Sequence, residues 1–290
     1  MAPTSSSLEE RLERGEVATF LPCPFSLPVG DDLAFLLQQK LSSSAHKNIC
    51  YDPARHATSG FRGGSPEQAD RLNRLLGEFS QRVASWLEGL LPRYAQNWQT
   101  DRATLRTEEE ATRKLRTSAR NDLLHFDAFP SRPSRGCRIL RCYVNINPTD
   151  DRVWNTSETF ARVLEKYGKQ VGLPLQDSDS WVRKVGQGIR GLFQPNVLGR
   201  TAYDDFMLRL HHFLKTNDDF QERSPRRLWR FRPGTAWLLF SDTISHAELR
   251  GQFALEHSFF VAPETLALPE ESPPVLLERI CRDASLTTAA

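Results

Sequence analysis

The chain has no uninterrupted apolar run of about 18 residues, the length a membrane-spanning helix needs. Any membrane contact is therefore expected to be peripheral. Residues 1–15 are polar and charged, which argues against a secretory leader. No CxxC pair occurs. The five cysteines (Cys23, Cys50, Cys137, Cys142 and Cys281) are odd in number and lack a spaced framework. That excludes a disulfide scaffold and predicts reduced thiols in a cytoplasmic protein. Neither sign of charge dominates: 38 basic side chains face 36 acidic ones, for a net charge of +2. A nucleic-acid binder would show a lopsided basic surface, so no nucleic-acid partner is expected. Internal repeats are also missing.

What is there is ordinary globular material, 39% hydrophobic and 26% charged, enough for a sizeable core. The strongest local signal is a helix over residues 65–91. Ser65, Pro66 and Gln68 supply an N-cap, a first-turn proline and a capping-box glutamine. Leu72, Leu75, Leu76, Phe79, Val83, Trp86, Leu87 and Leu90 then recur at helical spacing, and Pro92 ends the run. Ser7–Arg14 reads as a short helix with a capping box from Ser7 to Glu10. Residues 138–147 alternate: Leu140, Cys142, Val144 and Ile146 share one face, and Arg141, Tyr143, Asn145 and Asn147 the other. Helical segments follow at 160–167, 180–193 and 203–214. The β pattern returns in LWRF, TAWLLF and QFALEHSFFV between residues 228 and 261. These blocks predict a mainly β, α+β chain with supporting helices, built as one domain. Residues 1–100 form an N-terminal helical support, 101–155 and 226–262 the β core, 156–225 a helical insertion and 263–290 a C-terminal helix. Two small domains split near residue 155 are the alternative.

Chemistry concentrates in residues 122–130, DLLHFDAFP. On a strand, His125 and Asp127 project from one face and can supply two adjacent ligands to a divalent metal. A second histidine from elsewhere would complete a two-His-one-carboxylate facial triad with open positions, the arrangement of non-haem Fe(II) oxygenases. Three places compete for that ligand. His246, 119 residues after Asp127, follows the TAWLLFSD strand and a turn. His257 lies on the apolar face of Phe253, Leu255, Phe259 and Val261, where a satisfied core histidine is the commoner outcome. His211 and His212 fall on a helix and read as solvated. His246 is the favoured ligand, with Glu248 a bystander. The basic and aromatic run Arg226–Arg232 (RRLWRFR) reads either as an exposed strand or as a surface for anionic head groups.

The order His125-x-Asp127, Pro233–Phe240 (PGTAWLLF), His246 resembles the Fe(II)/2-oxoglutarate-dependent dioxygenases of the double-stranded β-helix, or jelly-roll and cupin-like, fold. More narrowly, residues 125–148 (HFDAFPSRPSRGCRILRCYVNINP) with 241–261 (SDTISHAELRGQFALEHSFFV) resemble the hydroxylases of Kdo, 3-deoxy-D-manno-oct-2-ulosonic acid. The resemblance implies Fe(II) on His125, Asp127 and His246, with 2-oxoglutarate and O₂ as co-substrates. It further implies 3-hydroxylation of the Kdo sugar of Kdo-lipid A, with peripheral contact at the cytoplasmic face of the inner membrane. One departure stands out. Many members anchor 2-oxoglutarate with an arginine ten to twelve residues after the last histidine, where this chain has Glu256 to Ser258. Arg141, 14 residues after Asp127, is the substitute expected, assisted by Tyr143 or Asn145. Arg120 and Arg138 are candidates for the anionic substrate, and Gly188–Phe193 with the Arg226 run for membrane docking. A non-catalytic sugar- or lipid-binding β-sandwich and a zinc hydrolase are the competing readings.

Overall fold

The computed structural model describes residues 6–43, 47–173 and 199–288. Ten strands form two antiparallel sheets. In chain order they are β1 (Ala18–Phe20), β2 (Ile49–Asp52), β3 (Ala57–Ser59), β4 (Trp98–Arg106), β5 (Arg138–Asn145), β6 (Arg152–Thr159), β7 (Arg227–Phe231), β8 (Ala236–Phe240), β9 (Ile244–Arg250) and β10 (Ala254–Val261). The larger sheet runs β1-β8-β5-β10-β4-β2-β3 and the smaller β7-β6-β9. Three strands of the larger sheet come from the first 100 residues, a region expected mainly as helical support; β1 and β2 fall where residues 16–22 and 47–51 read as short strands. Strand β6 likewise continues to Thr159, past the boundary expected at 155.

Helix α1 covers Leu8–Glu13, α2 Gly30–Leu37, α3 Pro66–Leu90 and α4 Pro92–Ala95. Both capping boxes form, Ser7 with Glu10 and Ser65 with Gln68, so each helix starts where its side chains satisfy the first free N–H groups. The buried stripe of α3 packs on the outer face of the larger sheet. Leu72, Leu76, Phe79 and Val83 share one core with Leu140, Cys142, Val144, Leu238, Leu255 and Phe259. That is the apolar face expected for β5. Its other face, with Tyr143, meets Trp154, Phe231, Trp237, Leu239 and Ile244 in a second core between the sheets. Helices α5 (Phe160–Tyr167), α6 (Ala202–Thr216), α7 (Asp218–Arg223) and α8 (Pro273–Thr288) follow. Residues of α5, α6, α7 and α8 build a third core with Leu124, Phe126 and Ala247 of the smaller sheet's side. The helix expected at 180–193 and the docking candidate within it lie outside the described residues.

No disulfide links the five cysteines. His257 is a satisfied core residue: its Nε2 lies 2.8 Å from Ser80 Oγ of α3 and its Nδ1 3.2 Å from the Arg102 carbonyl. Burial holds this imidazole down at about 4, against an ordinary value near 6.5. The unfolded chain therefore takes up a proton where the native one does not. The histidine's contribution to stability is complete above about 6.5 and is lost as pH falls toward about 4. The loss attached to His257 should be on the order of 3 kcal/mol. Urea unfolding at about pH 7.5 and about pH 4.5 checks it. His257→Gln should lower the difference by about that amount, the remainder belonging to the other buried histidines, and an unchanged slope would assign the acid sensitivity elsewhere.

Candidate metal centre

Residues 122–130 do not form a ladder strand. They run extended beside β9 and are held by four main-chain hydrogen bonds. His125 N donates to His246 O (3.1 Å) and His246 N to His125 O (2.9 Å), a reciprocal antiparallel bridge; Asp127 N donates to Ser241 O and Glu248 N to Asn121 O. Directly opposed residues carry their side chains to the same side, and so does the residue two positions on. The bridge therefore aims His125, His246 and Asp127 at one point between the sheets. His246 itself belongs to β9, a strand that the sequence pattern did not assign.

The three ligand atoms lie within 4.8 Å of one another, and all three residues are buried. His125 Nε2 is 3.7 Å from Asp127 Oδ1, and His246 Nε2 is 4.0 Å from Asp127 Oδ2. Each imidazole turns its Nδ1 to the carbonyl two residues earlier, Leu123 for His125 (2.7 Å) and Ile244 for His246 (3.1 Å). A carbonyl can only accept, so both Nδ1 atoms carry the proton and both Nε2 lone pairs face the gap. Trp154 stacks on His246 at 5.5 Å and 14°, fixing the ring plane. Burial, then the Lys215 charge, pushes His125 well below its usual value, and burial lowers His246. Burial alone would raise Asp127, but Arg141 and the two histidines outweigh it and hold the carboxyl well below the usual range. Two neutral imidazoles and one carboxylate are the protonation states a divalent ion requires. The residues fit a ferrous ion.

From Asp127 a buried chain of alternating charges runs inward. Arg141 pairs with Asp127 and with Glu256. Arg106 of β4 grips Glu256 through Nε (2.9 Å) and Nη2 (2.7 Å) and reaches Glu248 at 2.8 Å. Arg152 of β6 closes on Glu248 at 2.5 Å. Glu256 occupies the stretch where a co-substrate arginine was sought. A carboxylate stands there instead and holds two arginines from neighbouring strands. Around this chain, Tyr143 stacks on Trp237 (5.2 Å, 7°), with Trp154 edge-on to both. Tyr143 OH, Trp154 Nε1, Trp237 Nε1 and Arg141 Nε are buried donors without an acceptor among the described residues. Buried donors left unsatisfied are costly, so this ring is suited to a polar, acceptor-rich ligand beside the metal.

Three expected residues are placed otherwise. Asn145 is consumed by the β5–β6 turn: its Nδ2 donates to Asp150 O and Phe231 O, and its Oδ1 accepts from Asn147 N. It has no capacity left for a co-substrate. Arg138 is fully buried, bonded to Asp242 and Thr243 and lying over the Phe240 ring, so it acts within the core and not on a substrate. Arg120 is half-exposed and held by Asp122 through two hydrogen bonds. His211 is not solvated: it is buried edge-on to His125 at 5.1 Å, with its Nδ1 2.7 Å from the Phe126 carbonyl. Arg106, Arg152 and Glu256 went unread because charged residues on strands look like solvent-facing positions unless both sheets are in place.

A buried facial triad between two antiparallel sheets, with an acceptor-seeking cavity wall beside it, is the centre of a non-haem Fe(II)/2-oxoglutarate-dependent dioxygenase. The comparisons narrow the class. The family model described as 3-deoxy-D-manno-oct-2-ulosonic acid (Kdo) hydroxylase matches residues 2–284, and the chain belongs to that family. The apo structure of the Kdo hydroxylase KdoO, a non-haem Fe(II) α-ketoglutarate-dependent dioxygenase, is 33% identical. The match covers 93% of this chain and 88% of that one, with a TM-score of 0.79. KdoO in complex with α-ketoglutarate and Fe(III) is 32% identical over 93% and 87% of the two chains, with a TM-score of 0.78. Its cobalt(II) complex is 33% identical over 93% and 88%, with a TM-score of 0.79. The jelly-roll expectation is met. No curated protein sequence matches the chain.

Removing one partner from a buried ion network leaves the other charges unmatched, at about 3–5 kcal/mol. Glu256→Gln should therefore destabilise the protein by that order in urea unfolding at neutral pH. A loss below about 1 kcal/mol would mean the network is open to water.

Proposed function

We propose that this chain hydroxylates the Kdo sugar of Kdo-lipid A at C3, with His125, Asp127 and His246 holding Fe(II). The observation that carries this reading is the triad itself, both of its imidazoles locked with Nε2 toward Asp127. When bound there, Fe(II) allows O₂ to be reduced as 2-oxoglutarate is oxidised to succinate and CO₂, one oxygen atom entering the substrate C–H bond.

The chain's own residues do the rest. His125 and His246 present preset lone pairs, and Asp127 supplies the negative charge. Arg141, its two terminal nitrogens on Asp127 and Glu256, keeps its Nε–H for a further carboxylate, and Tyr143 directs its hydroxyl into the same space. In this reading the distal carboxylate of 2-oxoglutarate takes up Arg141, with Tyr143 assisting. The aromatic ring of Tyr143, Trp154 and Trp237 excludes water from the metal's surroundings. Family membership favours neither a non-catalytic module nor a zinc hydrolase.

Anaerobic Fe(II) with 2-oxoglutarate should give a visible charge-transfer band in the wild type. His246→Ala and Asp127→Ala should each weaken Fe(II) binding by more than about 100-fold, beyond the loss typical of a supporting residue. Retention of the band in both variants would remove the triad from the mechanism.

The lipid-linked substrate calls for peripheral docking at the cytoplasmic face of the inner membrane. The outer side of edge strand β7 supports it: Arg226, Leu228, Arg230 and Arg232 alternate there and are exposed, Leu228 at 53%. Each arginine near an anionic surface is worth about 1 kcal/mol. Replacing Arg230 and Arg232 with Glu should lower sedimentation with phosphatidylglycerol vesicles by more than about 10-fold. Equal binding by the two proteins would place docking elsewhere.

A further inference from the structure

Two lysines near the triad are unexplained by the metal and co-substrate roles. Lys215, in the last turn of α6, is 3% exposed, and among the described residues its Nζ has a single acceptor, the Ser118 carbonyl at 3.3 Å. Lys47, on the approach to β2, is half-buried and also has one acceptor, Asn121 Oδ1 at 3.3 Å. An ammonium carries three donors, and a buried one calls for an anion. Neither lysine has a carboxylate within ion-pair distance among the described residues.

The surrounding carboxylates are engaged elsewhere. Asp122 is held by Arg120, Asp127 by Arg141, Glu110 by Arg113, and Glu248 by Arg106 and Arg152. The two lysines feel each other's charge, and both feel those of Asp127 and Glu248; Lys215 also acts on His125. They therefore border the triad from the side of residues 117–121. Burial together with Lys47 brings Lys215 down to about 7, as expected of an ammonium that lacks its counter-ion.

Charge decides which anion is missing. In this interior, Arg106, Arg113, Arg141, Arg152, Lys47 and Lys215 face Asp127, Glu110, Glu248 and Glu256. The excess is two positive charges, matching the two lysines. A ferrous ion and a 2-oxoglutarate dianion cancel, so loading the centre leaves that excess in place. A further anion must come from the substrate.

We infer that Lys47 and Lys215 form the recognition site for the carboxylate of the sugar acid, holding it beside the metal so that a neighbouring ring carbon faces the oxidant. The inference rests on the Kdo hydroxylase reading. It assigns the specificity for an acidic sugar to two residues outside the metal and co-substrate sets.

The test compares free Kdo with its methyl ester, which keeps the ring and removes the charge. Binding is followed calorimetrically and without oxygen on protein loaded with Fe(II) and 2-oxoglutarate. Wild type should bind the acid about 10- to 100-fold more tightly than the ester, the range for a hydrogen bond to a charged group. Lys215→Met and Lys47→Gln should bind the acid more weakly and lose most of that discrimination, and Lys215→Arg should recover part of it. The 2-oxoglutarate charge-transfer titration should stay within about twofold of wild type in every variant, which also shows that the centre has folded. Discrimination unchanged in both variants overturns the inference, while hydroxylation of Kdo by the wild type would leave the functional reading standing. Weakened 2-oxoglutarate binding with intact acid-over-ester preference also overturns it, placing the co-substrate on the lysines. Lysine-dependent acid binding without hydroxylated product from the wild type would keep the anion site and remove Kdo hydroxylation.

Discussion

Two reciprocal main-chain hydrogen bonds, between His125 and His246, carry the rest of the site. They join segments 121 residues apart and make the two rings cross-strand neighbours. Asp127 then arrives on the same side because side chains in extended chain alternate with a period of two. A slip of one residue would turn His125 and Asp127 away together. The register is held from both flanks, by Asp127 N on Ser241 O and by Glu248 N on Asn121 O.

The charges behind the triad follow from what the centre has to accommodate. A cavity that takes a metal and a small dicarboxylate needs cations deep between two sheets, where an unpaired guanidinium is strongly disfavoured. Alternating partners solve this: Asp127, Arg141, Glu256, Arg106, Glu248 and Arg152 neutralise one another stepwise. Such networks contribute position more than net stability. Glu256 illustrates the economy of the arrangement. The strand that offers no arginine offers instead the carboxylate that orients arginines from β4 and β5.

Local chemistry was legible from residues alone. The capping boxes of α1 and α3, the apolar stripe of α3 and the two faces of β5 depend on neighbours within a few residues, and they stand where expected. Side chains whose partners are distant were misread. Asn145 looked like a ligand group on a polar strand face but closes a turn against Phe231. Arg138, a substrate candidate by sequence, is sealed against Asp242. The sequence pattern assigns no strand to residues 244–250, because Ser245, His246, Glu248 and Arg250 are polar. Ser245, His246 and Glu248 tolerate burial because the Glu158 carbonyl, His125, Arg106 and Arg152 meet them.

Residue order was enough to single out His125, Asp127 and His246 as one cluster, the starts of α1 and α3, and the family, because the histidine-x-aspartate pair, the downstream histidine and the longer segments around them occur in a matching order. Which arginines are buried, why Glu256 stands where a cation was sought, and that Lys47 and Lys215 have no counter-ion among the described residues emerged only with both sheets assembled. The physical reason is that pairing between charges is a property of distance in space, and residues 47, 106, 127, 141, 215 and 256 acquire it only when β2, β4, β5, β10 and α6 close around one interior.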